Sequence, residues 1–191
     1  MKEYDDSNIN GLIDRTAKLL WEDPLIWAKH EIGKIDENFK VVYDAMKETD
    51  HEIKKGLWDS IFWSKRGFNF KNIEANVNNL FRQFDLVMES VEKWTIIFDE
   101  YNTELAEEII NLSKFISWIK EEELEEDDRL QYQNYVVQLN SLKNANDRIE
   151  MRLNSWKSLH KTMKSSRGVF QTILSPCMIE TARQSSLDSS V

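Results

Sequence analysis

The chain is poor in the residues that break, bend or cross-link a fold. Its 191 residues include one cysteine, two prolines and five glycines, whereas average usage would give about 13 glycines and about 10 prolines. So few turn residues argue against an all-β sandwich and against a loop-rich enzyme. Because Cys177 is alone, an intrachain disulfide is excluded, and a reducing, cytoplasmic compartment is the natural expectation.

The sequence also lacks a long apolar run. No stretch approaches the roughly 18 uncharged apolar residues of a membrane-spanning helix. The first residues are acidic and carry no apolar segment of the kind found in a signal peptide. We therefore expect a cytoplasmic protein, whose only membrane contact would be peripheral.

Residues that carry known chemistry are present, but their spacing matches no complete motif. There is no His-Glu-x-x-His, no glycine-rich phosphate loop and no Gly-x-Ser-x-Gly elbow. Glu48 and His51 have the spacing of half a di-iron site, but the second half is missing. We expect no enzyme activity, no metal and no cofactor. The net charge of −9 and the absence of a recognition motif disfavour nucleic acid as a partner.

What the sequence does contain is helical periodicity. Apolar residues recur at spacings of three and four and predict four helices. The first runs from Ser7, as N-cap, to Trp21; Asp23-Pro24 then starts a second that ends near Lys55. The third covers about 69–120, with neither glycine nor proline, and would be the longest, at roughly 75–80 Å. The fourth covers about 129–165, with an apolar core stripe that begins at Leu130 and with Gly168 as its stop signal.

These lengths predict an all-α fold. We expect an elongated antiparallel bundle of three to four helices, coiled-coil-like, with one very long central helix. Residues 1–170 would form a single helical bundle domain and residues 171–191 a flexible C-terminal tail. A compact bundle with a kinked third helix is the alternative.

Charge is distributed unevenly along this predicted bundle. Residues 54–71 carry five basic side chains against one acid, and residues 143–167 carry seven against two. Residues 99–128 carry twelve acids against two lysines. In an up-down-up bundle the two basic segments meet at one end, so the molecule would be electrically polarised despite its net negative charge.

The predicted basic end is also rich in aromatic residues, a combination that suits an anionic membrane surface or an acidic protein. In the simpler interpretation the aromatics cap the core and the lysines face water. The predicted docking residues are Lys54, Lys55, Trp58, Phe62, Trp63, Lys65, Arg66, Phe68, Phe70, Lys71, Lys161, Lys164 and Arg167. At the C-terminus, Ser189 and Val191 form a peptide motif suited to strand addition in a PDZ-type groove.

The leading functional hypothesis is a non-enzymatic helical scaffold, adaptor or assembly subunit that acts through coiled-coil-type contacts. Narrow apolar stripes leave surface for a helical protein partner or a homo-oligomer, and Trp21, Trp27, Trp118 and Trp156 are candidate anchors. The alternative is a membrane-associated helical protein that engages lipid through residues 54–71. Such a protein would be a BAR-like curvature module, by architectural analogy alone, or a helical toxin-like protein.

The membrane alternative has a direct test. Under it, the chain floats with anionic vesicles at low salt, and alanine at Trp58, Phe62 and Trp63 abolishes flotation because these side chains would enter the interface. Absence of flotation of the unmodified chain would contradict the alternative and leave the scaffold hypothesis.

Overall fold

A computed structural model describes residues 4–56 and 70–188, and over these residues every regular element is a helix. The four α-helices are α1 (Ile9–Glu22), α2 (Leu25–Gly56), α3 (Phe70–Ser117) and α4 (Glu126–Asp188). A short 3-10 helix, Glu121–Glu123, lies between α3 and α4. The prediction of an all-α protein is confirmed, whereas the bundle geometry and its coiled-coil character stay predictions. Within the described ranges, no helix is both long and apolar enough to cross a membrane.

The longest helix is α4, with 63 residues, and not α3, with 48. The predicted stop at Gly168 is wrong, because α4 continues through it and through Pro176. A glycine inside a helix costs about 1 kcal/mol. Beyond it, Phe170 and Leu174 are buried, and burying such a side chain contributes about 1.5–3 kcal/mol. Packed residues thus extend past the predicted domain boundary at 170, while the flexibility of the tail stays a prediction.

The start of α1 also differs from the prediction. Its N-cap is Asn8 and not Ser7, and the Asn8 side chain makes no capping hydrogen bond. The N–H of Ser7 instead donates to Asp5 Oδ1 at 3.2 Å. The Asp5 side chain therefore forms a local turn just before the helix.

The described chain packs into two compact units, each built from separate stretches of sequence. The first contains residues 4–25 with 91–159, and the second contains 26–56 and 70–90 with 160–188. Each unit therefore combines segments of three helices.

In the first unit, α1 packs along α3. The Tyr4 ring lies 5.1 Å from that of Phe115, and further along, the Thr16 and Tyr101 hydroxyls lie 3.0 Å apart. Later residues of the N-terminal segment and α1 contact earlier residues of α3, so the two helices run in opposite directions. The buried Tyr101 hydroxyl also donates to the carbonyl oxygen of Leu12, and burial raises the pKa of Tyr101.

The same unit packs α4 against α3. The rings of Phe115 and Tyr135 meet edge to face at 5.4 Å, and the indoles of Trp94 and Trp156 stack at 6.4 Å. These contacts again advance in opposite directions along the two helices. The Tyr4 hydroxyl donates to Glu108 Oε1 at 2.8 Å, and burial, together with this carboxylate, raises the pKa of Tyr4.

In the second unit, Phe170 of α4 contacts both other helices. Its ring stacks on Phe39 of α2 at 4.1 Å and meets Phe84 of α3 edge to face at 5.9 Å. Aromatic pairs at these distances add about 0.5–1.5 kcal/mol beyond the burial of their area. This cluster explains why α4 keeps its helical path beyond Gly168.

Replacing Phe84 by alanine tests this core. We expect Phe84→Ala to lower the free energy of unfolding by about 3–5 kcal/mol, because it leaves a cavity under Phe170. Leu86→Ala is the matched control, because Leu86 lies two residues further along α3 and is exposed. This substitution should change the free energy of unfolding by no more than about 0.5 kcal/mol. Urea unfolding followed by circular dichroism measures both, and similar losses would contradict the assigned core face.

Candidate protein-interaction surface

Only part of the predicted basic docking surface falls on described side chains. Lys161 and Lys164 are exposed on α4, whereas Arg167 forms an ion pair with Asp85 at 2.9 Å. Four residues are placed by their backbone alone, at the end of α2 or the start of α3: Lys54, Lys55, Phe70 and Lys71. The others lie outside the described residues: Trp58, Phe62, Trp63, Lys65, Arg66, Phe68, Ser189 and Val191. The polarised basic end therefore stays a prediction.

The tryptophans named as candidate anchors divide into two classes. Trp21 and Trp118 are 90% and 80% exposed, and Trp27 is about half exposed. Trp156 is fully buried, so its assignment to an interaction surface is wrong. Its indole N–H donates to Asp23 Oδ1 at 3.1 Å, which gives the polar edge of a buried indole its partner.

Asp23 occupies the junction between α1 and α2. Its backbone is extended, at φ −62° and ψ 115°, the conformation favoured before a proline such as Pro24. Its Oδ1 accepts a hydrogen bond from the N–H of Leu25, the first residue of α2, at 3.0 Å. The carboxylate therefore satisfies one of the free N–H groups at the start of that helix.

The Asp23 carboxylate is only 1% exposed and forms an ion pair with α4. Arg152 Nε lies 2.9 Å from Oδ2, close enough for an ion pair but without the alignment of a hydrogen bond. A buried carboxylate is costly without a nearby opposite charge. The Asp23–Arg152 ion pair thus fixes the end of α1 against α4 and fixes the direction of the Arg152 side chain.

Beside this ion pair, residues of α1 and α4 line an open groove with a volume of about 340 Å³. The groove is lined by Leu20 of α1 and by Arg148, Met151, Arg152 and Ser155 of α4. Arg148 is exposed, and no described carboxylate forms an ion pair with it. The groove therefore combines apolar walls with one guanidinium available to a ligand.

The outer face of α4 continues this groove as a regular stripe. We call it the α4 stripe; it consists of Leu130, Val137, Asn144 and Met151, at intervals of seven residues. The three apolar members are 64%, 62% and 72% exposed. Residues seven apart lie on one face of a helix, and a coiled-coil seam uses two such apolar positions in each heptad. The α4 stripe supplies one of the two, because the residues three and four positions further along are polar.

A second seven-residue series on α4 forms the core of the first unit. Its members, all buried, are Tyr135, Leu142, Ile149 and Trp156. The prediction that Leu130 belongs to the core stripe is wrong, because Leu130 lies in the exposed series. The spacing of the α4 stripe was visible in the sequence, but periodicity alone does not identify which of two faces is buried.

An exposed stripe on α3 has the same spacing. We call it the α3 stripe; it consists of Ile96, Thr103 and Ile110, all exposed. Glu100 and Glu107 lie on one flank of it, are exposed, and form no ion pair within the described part of the chain. The α3 stripe is thus acidic, while the α4 stripe has an arginine on its flank.

Over the described residues, no group of three or more histidine, cysteine, aspartate and glutamate side chains is placed to hold a metal ion. Comparison with protein-family models, with curated proteins and with solved structures finds no match to this chain. The surfaces described above are therefore the features of this chain that bear on its function.

Two arginines one turn apart allow a controlled test of the ion pair. We expect Arg152→Met to lower the free energy of unfolding by about 2–3 kcal/mol, less than a fully buried pair because Arg152 is one-third exposed. Arg148→Met, which removes an exposed guanidinium without an ion-pair partner among the described residues, should cost at most about 0.5 kcal/mol. Equal effects in chemical denaturation would contradict the role of Asp23.

Proposed function

We propose that the chain is a non-enzymatic helical scaffold or assembly subunit that binds helical protein partners through coiled-coil-type contacts. The observation that carries this proposal is the exposed α4 stripe, which repeats every seven residues through the first unit. Exposed apolar surface that is contiguous marks protein-interaction sites, and on one face of α4 this series extends from the apolar part of the groove.

Burial of the α4 stripe would provide the binding energy. Covering an exposed leucine, valine or methionine contributes about 1.5–3 kcal/mol each. Asn144, in the middle of the stripe, would cost some of this stability and restrict the alignment of the partner, as a polar core residue does in coiled coils. Trp21, the next residue after Leu20 of the groove, is exposed and offers a large aromatic anchor.

The membrane alternative depends mainly on residues outside the described ranges. The described side chains contribute the exposed Lys161 and Lys164 to it, without the aromatic residues that would enter the lipid. We therefore place protein binding first.

Site-specific photo-crosslinking tests the proposal. With a benzophenone amino acid at Val137, we expect light-dependent adducts to protein in cells that express the chain. The matched control is the same amino acid at Lys143, which is exposed on a different face of α4 and should give about fivefold less adduct. Glutamate at both Leu130 and Met151 should remove the Val137 adduct, because it places charge in the apolar contact.

Two results would contradict the proposal. One is equal adduct formation at Val137 and Lys143, which would indicate random collision. The other is a Val137 adduct that persists after both glutamate substitutions, which would show that the α4 stripe does not make the contact.

A further inference from the structure

We infer that the α4 stripe binds the α3 stripe of a second copy of this chain, with the two helices antiparallel. This inference rests on the proposed function and names the partner of the same surface. It comes from the match between two exposed stripes that one chain carries.

The first match is in the order of apolar and polar residues. One antiparallel alignment sets Ile96 against Met151, Thr103 against Asn144, and Ile110 against Val137, each pair belonging to two different copies. Apolar side chains then meet apolar side chains, and the single hydroxyl meets the single amide. The Thr103 hydroxyl donates to the carbonyl oxygen of Asp99, so it would accept a hydrogen bond from the Asn144 amide.

The ends of the stripes agree with the same alignment. It brings Leu130 to the last residue of α3, Ser117, and the 80% exposed Trp118 follows directly. A large exposed indole beside an exposed leucine gives the edge of the contact an apolar pair. The alignment thus uses exposed apolar residues along the whole length of the α4 stripe.

The second match is in charge. With 3.6 residues per turn, Arg148 and Glu100 lie on the same side of the antiparallel pair and within one residue of the same level. Each lacks an ion-pair partner among the described residues. On the opposite side of the pair, Asp147 lies within one residue of the level of Asp99, which forms an ion pair with Lys157 of its own copy at 2.7 Å. If two α4 stripes instead met each other in parallel, Arg148 would lie beside Asp147 of the other copy. The experiment below separates that arrangement, because it would survive loss of the α3 stripe.

The contact joins two different surfaces, so it is heterologous. Each copy presents one α3 stripe and one α4 stripe. In an open row of copies, the copy at one end therefore keeps an unbound α3 stripe, and the copy at the other end keeps an unbound α4 stripe. Association therefore continues beyond two copies unless a ring closes. This property separates the inference from an ordinary two-fold dimer.

A complementation experiment with purified full-length chains tests it. Val137→Glu removes the α4 stripe, and Ile110→Glu removes the α3 stripe; both positions are exposed, so each variant should keep its helical circular dichroism. By light scattering across protein concentrations, we expect the unmodified chain to exceed two copies and each variant alone to be a monomer. An equimolar mixture should form a complex of two chains and nothing larger, because one intact stripe of each kind remains. Lys143→Glu is the control and should associate like the unmodified chain.

Exchange of the flanking charges provides an independent readout. Arg148→Glu and Glu100→Arg should each weaken self-association by about tenfold, which corresponds to about 1.4 kcal/mol. Both substitutions in one chain should restore the affinity to within about threefold, because the ion pair is re-formed with its charges reversed.

Several results would overturn the inference. A mixture of the two glutamate variants that stays monomeric, or that grows beyond two chains, contradicts a heterologous contact between these stripes. A monomeric unmodified chain whose Val137 crosslinks reach a different protein also overturns it, but leaves the proposed function standing. A monomeric chain without stripe-dependent crosslinks overturns both.

Discussion

The arrangement of the first unit depends on one buried carboxylate. Asp23 satisfies the first N–H of α2, accepts the indole N–H of Trp156 and forms an ion pair with Arg152. A charge that is 1% exposed requires such partners, so the end of α1 is held at one level of α4. Because Arg152 is committed to Asp23, Arg148 is the groove arginine left for a ligand.

With α1 fixed in this way, α4 displays two faces with the same spacing. One series of seven-residue intervals fills the core, and the α4 stripe looks outward beside the groove. The hydrophobic effect has no direction of its own, so the choice between the two series comes from their neighbours. Trp156 and Tyr135 have hydrogen-bond partners inside the unit, whereas Leu130, Val137 and Met151 need none and can serve a partner helix.

Sequence signals predicted the local features well and the tertiary ones less well. The helix break at Asp23-Pro24 was predictable because capping and proline chemistry act within a few residues. Gly168 gave the same kind of local signal and was misleading, since the buried Phe170 beyond it outweighs the cost of a helical glycine. The interface assignment of Trp156 and the core assignment of Leu130 failed because burial depends on Asp23 and on α3, which are distant in sequence.

In the proposed pairing, polar residues set the register and apolar residues supply most of the affinity. A shift of one heptad in either direction would place Asn144 against an isoleucine of the α3 stripe and Thr103 against Met151 or Val137. The Thr103 hydroxyl keeps a partner in every alignment, the carbonyl oxygen of Asp99 at 3.0 Å. An amide buried without a partner costs about 1–3 kcal/mol, comparable to what one apolar contact contributes. The Thr103–Asn144 pair therefore distinguishes one alignment from its neighbours, although all of them bury apolar surface. An assembly built this way can be weak at each contact and still be specific, because a misaligned contact leaves the Asn144 amide without a partner. The shift that sets Asn144 against Ile110 would keep an ion pair, with Glu107 in place of Glu100, so the amide rather than the charge selects the register.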